Sequence, residues 1–136
     1  MGISETAHAF FDACETGKGW AACAEYCAPD ATFSAQADAL GEVTTLEGYA
    51  EWMKGLLVPI PDGHYDLKAF SADEARGVVT AFAVFHGTHS VDGPVPATGQ
   101  TAASDYVYAM EFDGPKIKHM TKIWNDGIAL KQLGWA

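Results

Sequence analysis

The chain has 136 residues, 49% of them hydrophobic, and its 18 acidic against 8 basic side chains give a formal net charge of -10. This length suffices for one domain with a core and is too short for two. The negative charge repels the phosphates of nucleic acids and of anionic lipid heads, so neither is an expected partner. No stretch approaches the roughly 20 apolar residues of a membrane span, and the N-terminus lacks the basic start of a secretory signal. We therefore expect a cytoplasmic protein.

The three cysteines, Cys14, Cys23 and Cys27, contain no CxxC pair. An odd number of cysteines fits a reducing compartment better than a disulfide framework. On a helix, Cys23 and Cys27 would share one face, a spacing that suits a metal but also suits a core. Because a free cysteine behaves as a small hydrophobic residue, we expect buried thiols.

Apolar residues recur at helical spacing in the first part of the chain. One stripe begins near Ser4 and ends at Gly17, and a second repeats from Trp20 to Cys27 until Pro29 stops it. These stripes predict two consecutive helices.

A short strand is then expected at residues 30–34, followed by a loop. Thr44, with Glu47 three residues later, resembles a capping box, and an apolar helical stripe continues from there toward Pro59. This pattern predicts a third helix.

From His64 onward the alternation of side chains is typical of strands, at residues 65–70, 77–88, 101–112 and 117–125. Asp113-Gly114 is a strong hairpin signal. The pattern predicts an α+β fold, in which three N-terminal helices pack in a strongly curved, mostly antiparallel sheet that forms a cone with an interior pocket.

Six short motifs occur in order along the chain. They are Pro29-Asp30-Ala31-Thr32-Phe33, Pro61-Asp62-Gly63-His64, Gly87-Thr88-His89, Pro96-Ala97-Thr98-Gly99, Asp113-Gly114-Pro115-Lys116-Ile117 and Gln132-Leu133-Gly134. With them the chain resembles the nuclear transport factor 2-like superfamily, which has the cystatin-like α+β cone, and within it the SnoaL-like group that includes polyketide cyclases. The resemblance implies a single SnoaL-like domain over residues 1–136.

The superfamily hosts many functions on one scaffold, so the resemblance must be followed residue by residue. Its ketosteroid isomerases use a Tyr on the first helix, an Asp late in the first strand and an acidic group on the penultimate strand. Those positions correspond here to Phe10 or Phe11, to Ala35 and to Tyr108. Phe and Ala cannot move a proton, so isomerase chemistry of that kind is disfavoured, although Tyr108 can still donate a hydrogen bond to an oxygen.

The SnoaL-like cyclases carry an acid/base Asp near the end of the last strand. By resemblance, that position falls on Asn125 or on Asp126, directly after Trp124. An amide at this position binds but does not titrate, whereas an inward Asp126 would keep the base. The sequence leaves both alternatives open.

The facing of the last strand decides which side chains line the cone. The isomerase register places Met120, Lys122 and Trp124 inside, and the remaining candidates for the pocket are Tyr106, Tyr108, Phe33 and Phe11. Such an aromatic pocket suits a small apolar or aromatic ligand. Only the opposite facing would bring His119 inside as a base.

Each candidate also has a structural interpretation. Trp124 and Tyr108 could be core residues, Lys122 could lie in solvent at a strand end, and Asp126 could cap a C-terminal helix. His89, in the Gly-Thr-His turn, is expected to be structural. The chain has no phosphate loop, Ser-His-Asp order, HExxH or CxxC motif, so the sequence implies no cofactor or metal.

Two hypotheses follow. In the first, a cyclic or aromatic substrate occupies the cone, Asp126 shuttles a proton, and Tyr108 or Lys122 stabilises negative charge on a carbonyl oxygen. In the second, the domain is a ligand-binding or assembly module without chemistry. In both we expect a homodimer through the outer sheet face. Either Phe82 and Val84 or the residues that alternate with them face outward on that strand, and both sets are too apolar to leave exposed.

Overall fold

A computed structural model describes residues 2–136. Four α-helices lie at Ile3–Glu15 (α1), Trp20–Cys23 (α2), Leu46–Leu56 (α3) and Asp126–Leu133 (α4), and short 3-10 turns lie at Ala24–Tyr26 and Asp38–Leu40. Within this part of the chain, no helix is both long and apolar enough to cross a membrane.

The first helix forms as its apolar stripe predicts. Ala7, Phe10, Phe11 and Cys14 are fully buried along one face of α1. The helix ends before Gly17, which adopts a left-handed φ of 72° that a side chain would disfavour.

The second predicted helix is shorter than its stripe implied. It ends at Cys23, and the chain is already extended at Cys27, where φ is -123° and ψ is 152°. Pro29 contributes to this early end because it disfavours helical backbone at the preceding residue. Cys23 and Cys27 therefore do not share a helix face, although all three cysteines are buried as expected.

The N-cap of α3 is Thr45 rather than Thr44. The Thr45 hydroxyl accepts a hydrogen bond from the Gly48 amide at 3.0 Å, which satisfies one of the free amides at the helix start. The observed N-cap lies one residue after the predicted one, and the helix that the capping pattern predicts is confirmed.

The five strands are Cys27–Gln36 (β1), His64–Asp73 (β2), Val78–Thr88 (β3), Thr101–Asp113 (β4) and Lys116–Trp124 (β5), and they form one sheet in the order β1-β5-β4-β3-β2. The pairs β2/β3, β3/β4 and β4/β5 are antiparallel, whereas β1 pairs with β5 in parallel. The α+β prediction is confirmed as a five-strand mixed sheet with four helices. The description by three N-terminal helices is inexact, since α2 is a single turn and α4 lies at the C-terminus.

The core lies between one face of the sheet and the helices. On β4 every second residue is buried, including Tyr106, Tyr108 and Met110, and on β5 the buried residues include Met120 and Lys122. This alternation is the period-2 pattern of a strand with one covered face. It determines which polar side chains are carried into the interior.

Candidate functional site

Four titratable side chains meet inside the fold. Tyr108 on β4 is paired directly with Lys122 on β5, so both side chains enter the interior at the same level. Glu15 comes from the last residue of α1 and Tyr49 from the first turn of α3. Glu15 is only 2% exposed and Lys122 only 4% exposed, which is unusual for charged residues.

These four side chains form a continuous hydrogen-bonded chain. Lys122 Nζ donates to the Tyr49 hydroxyl at 2.9 Å, the hydroxyls of Tyr49 and Tyr108 are 2.7 Å apart, and Tyr108 donates to the Glu15 carboxylate. Because the single hydroxyl proton of Tyr108 is used toward Glu15, Tyr49 must donate to Tyr108. Every donor therefore points from Lys122 toward Glu15, and we call this set the proton chain.

The Lys122 ammonium also sits in a cage of four aromatic rings. Its Nζ lies 4.5 Å from the ring centroid of Trp124, 5.1 Å from Tyr49, 5.2 Å from Tyr106 and 5.5 Å from Trp52. The negative faces of these rings partly replace the water that the cation loses on burial.

Burial changes the pKa values of Lys122, Tyr49 and Tyr108. Burial lowers the pKa of Lys122 from 10.5 to about 8, and the charges of Glu15 and Cys14 only partly oppose it. Burial, together with the same negative charges, holds the pKa values of Tyr49 and Tyr108 well above their usual range. The phenols therefore stay protonated near neutral pH, whereas the Lys122 ammonium loses its proton at a lower pH than an ordinary lysine.

The other predicted interior residues surround the proton chain. Phe33 stacks on Tyr49 with ring centroids 4.5 Å apart, and Phe11 packs edge-on against Tyr108 at 5.1 Å. Met120 is fully buried beside them. The Tyr106 hydroxyl is buried without a hydrogen-bond partner among residues 2–136, and burial holds its pKa far above the usual value.

An apolar cavity of about 210 Å³ lies next to this cluster, between α3, the sheet and α4. Trp52 and Trp124 line the cavity and also belong to the Lys122 cage. The other lining residues are Ala39, Leu56, Ile60, Phe85, Ala102, Ser104, Ala129, Leu130, Leu133 and Trp135. Two indole rings thus separate a buried amine from a ligand-sized space.

The C-terminal segment forms one wall of this cavity. Trp135 lines it, and the Trp135 indole N–H donates to Nδ1 of the buried His89 at 2.8 Å. Trp52, Leu56 and Trp135 also border an outer groove of about 460 Å³. These three side chains form the wall between the cavity and solvent, and they mark the candidate entrance.

Asp126 and Asn125 lie outside the cavity. The Asp126 carboxylate accepts a hydrogen bond from the Ala39 amide at 2.7 Å, and the Asn125 amide oxygen caps α4 by accepting from the Ile128 amide at 3.2 Å. Both border an exterior groove beside the ends of β1 and β5. The expectation that one of them faces the interior is corrected, because α4 begins at Asp126 and turns the chain away from the strand.

His119, a candidate for the pocket only under the opposite facing of the last strand, lies on the outer face of the sheet, so its place in the pocket is also corrected. Its Nδ1 is 2.7 Å from the Thr32 hydroxyl and its Nε2 is 3.0 Å from the Ser34 hydroxyl, both on the neighbouring strand. The alternation that buries Met120 and Lys122 necessarily directs His119 outward.

The sequence analysis missed Glu15, Tyr49 and Trp52 as members of the site. One signal for Glu15 was available, because it lies four residues after Phe11 and therefore on the buried face of the first helix. Tyr49 was visible as part of the apolar stripe of α3, but nothing in the sequence paired it with Lys122.

Comparisons with known proteins agree with this architecture. A sequence model described as the SnoaL-like domain matches residues 7–120. No curated protein matches the chain.

Several solved structures are similar over nearly the whole chain. IdmH of Streptomyces antibioticus, described as a "putative polyketide cyclase", has a TM-score of 0.81 at 21% identity, and the match covers 98% of this chain and 99% of IdmH. A second protein of that description, from Acidithiobacillus ferrooxidans, has a TM-score of 0.77 at 25% identity, and the match covers 100% of this chain and 99% of that protein. AclR of Streptomyces galilaeus, described as a "putative hydroxylase", has a TM-score of 0.74 at 19% identity, and the match covers 99% of this chain and 88% of AclR.

Proposed function

This chain belongs to the SnoaL-like domain family, and we propose that it binds a small aromatic or cyclic molecule with a carbonyl group in the interior cavity. The observation that carries the proposal is the contact between the cavity and the Lys122 cage through Trp52 and Trp124. Apolar walls with a few convergent polar groups are the usual composition of a small-molecule site.

The size of the cavity supports a ligand of one or two rings. An engineered protein cavity of about 150 Å³ binds benzene, and this cavity measures about 210 Å³. Its lining is apolar except for Ser104, whose hydroxyl accepts from the Trp124 indole N–H at 3.2 Å. A ligand would therefore be held mainly by contact with aromatic and aliphatic side chains.

We propose acid/base chemistry by the proton chain rather than by Asp126. Cyclisation, isomerisation and dehydration next to a carbonyl each need a proton removed from carbon and charge stabilised on oxygen. Lys122 supplies the titrating group, because its pKa of about 8 lies near neutrality. Asp126 is the first residue of α4, and its carboxylate accepts a hydrogen bond from the Ala39 amide outside the cavity.

Binding is tested with 2-naphthalenemethanol, a two-ring alcohol, by quenching of tryptophan fluorescence. We expect saturable quenching that Ala102→Phe removes, because Ala102 lines the cavity. Ala103→Phe is the matched control, since Ala103 is the next residue on β4 and is exposed. Equal quenching in both variants would refute binding in the cavity.

The assignment of the acid/base group is tested on any carbonyl substrate that the protein turns over. Lys122→Met should abolish turnover, and Asp126→Asn should leave it intact. The reverse result would restore the assignment made from the sequence.

A non-catalytic binding module is the second candidate. It is favoured by the internal pairing of the four side chains of the proton chain, each of which is hydrogen-bonded to another member of the chain. In that case the protein would bind 2-naphthalenemethanol and convert no carbonyl compound.

We also propose a cytoplasmic homodimer that forms through the outer sheet face. Phe82 is 39% exposed and Ile123 is 51% exposed, and outward-facing residues of adjoining strands make this face partly apolar. Light scattering should give twice the mass of the chain, and a monomeric mass would contradict the proposal.

A further inference from the structure

We propose that Lys122 is a nucleophilic amine that forms an imine with an aromatic aldehyde bound in the interior cavity. The inference rests on the proposed binding function and adds a covalent step to it. It follows from the position of one buried amine between an apolar cavity and an internal proton acceptor.

The first support is the environment of the amine. An imine-forming lysine must be unprotonated, and enclosure in an apolar pocket favours that state. Lys122 is 4% exposed, and with its pKa at about 8 about a tenth of it is neutral at pH 7. An ordinary exposed lysine, with a pKa near 10.4, is neutral roughly two-hundredfold less often at pH 7.

The second support is the direction of the proton chain. A shift of one proton along each hydrogen bond moves a proton from Lys122 through Tyr49 and Tyr108 to Glu15. This shift leaves a neutral amine and a neutral carboxylic acid, and it needs no solvent in the buried site. The same chain can return a proton when an alkoxide forms next to the amine.

The chemical step balances without a further reactant. The Lys122 nitrogen forms a bond to the aldehyde carbon while the carbonyl π bond breaks, and the oxygen takes up a proton to give a carbinolamine. The carbon–oxygen bond then breaks, the oxygen leaves as water with a second proton, and the carbon–nitrogen double bond forms. The net change is amine plus aldehyde to imine plus water.

A ligand in the cavity reaches the Lys122 amine past the indole rings of Trp52 and Trp124. The ring centroids of Trp52 and Trp124 are 6.0 Å apart in an edge-on arrangement, with Lys122 Nζ behind them. Trp124 is held by Ser104, whereas Trp52 is only half-buried and borders the outer groove. Outward rotation of Trp52 exposes the amine to a carbonyl group in the cavity.

The experiment is reductive trapping with 2-naphthaldehyde and borohydride at pH 7, followed by peptide mapping with mass spectrometry. We expect the peptide containing Lys122 to gain the mass of the aldehyde less one oxygen atom, at least about tenfold more than any peptide with an exposed lysine. Lys122→Met should lose this adduct. Lys118→Met, at an exposed position on the same strand, should keep it.

Comparison with 2-naphthalenemethanol separates the two proposals. If the alcohol binds and the aldehyde gives no preferred adduct at Lys122, the imine proposal is overturned and the binding function stands. If neither compound binds, both fail. Peptide mapping of the unaltered protein tests the imine proposal even if Lys122→Met does not fold.

Discussion

The substitution Lys122→Met should remove a pH-dependent penalty on stability. The folded chain binds the Lys122 proton with a pKa of about 8, whereas the ordinary value is 10.5. Each pH unit between these values corresponds to about 1.4 kcal/mol. Burial of the charged ammonium therefore costs about 3 kcal/mol when both states are protonated.

The direction of the pH effect follows from the depressed pKa. Below pH 8 the folded and unfolded chains both carry the proton, so the full penalty is present. Between pH 8 and 10.5 the unfolded chain binds more protons than the folded chain, and stability rises with pH. From pH 7 to pH 10 the contribution of Lys122 should improve by roughly 2 to 3 kcal/mol.

Urea denaturation of both proteins at pH 7 and at pH 10 measures this effect. Burial raises the pKa values of Cys14 and Tyr108, which works in the opposite direction, but both groups remain in the variant. The difference in unfolding free energy between the two proteins therefore reports the removal of Lys122 together with its electrostatic coupling to Glu15 and Cys14.

We expect the variant to be the more stable protein at pH 7 and to lose most of that advantage at pH 10. Lys68→Met is the control, because a hydrogen bond from Lys68 to Asp66 raises the pKa of this exposed lysine. Its removal should produce no such change between the two pH values. A difference for Lys122→Met that stays constant within about 0.5 kcal/mol would refute the reasoning.

The remaining predictions concern packing and hydrogen bonding, and each has a matched control. Tyr108→Phe should lower the free energy of unfolding in urea by roughly 2 to 4 kcal/mol, because it leaves the buried Glu15 carboxylate without its donor. Tyr65→Phe, which removes a hydrogen bond to Asp12 at a half-buried position, should cost about 1 kcal/mol. Equal losses would contradict a special role of the proton chain. Gly87→Ala should cost about 1 to 3 kcal/mol in the same assay, because its Cβ would lie 2.3 Å from the Ile60 side chain. Gly55→Ala, where nothing lies within 4 Å of the new atom, should instead stabilise α3 by up to about 1 kcal/mol, and a loss there would refute the packing argument.

Local sequence signals located most of the secondary structure. The strands from residue 64 onward are confirmed because alternation and the Asp113-Gly114 turn are properties of neighbouring residues. The break after Cys23 was not foreseen, since the same apolar spacing suits both a helix and a buried turn followed by a strand. The position of α4 against the sheet was also not predictable from local signals, because it depends on contacts between residues distant in sequence.

The candidate site was likewise predictable only where local patterns place its residues. Period-2 alternation indicated only which residues of a strand share a face. The resemblance to the isomerases favoured the face with Lys122 as the interior one, and the structure buries both Tyr108 and Lys122 there. The partners that make them a proton chain are remote, with Glu15 separated from Tyr108 by 93 positions and Tyr49 from Lys122 by 73. No local pattern relates residues at such distances.

The sequence by itself determined the α+β class, because this class depends on the order and period of hydrophobic residues. Its six motifs carried the resemblance to the SnoaL-like family. Only the tertiary structure decided that Asp126 turns outward and that Lys122 is enclosed with a path to Glu15. The reason is physical: a charged side chain enters a core only where remote elements supply its hydrogen bonds and aromatic neighbours. Those partners come together when α1, α3 and the sheet pack against one another.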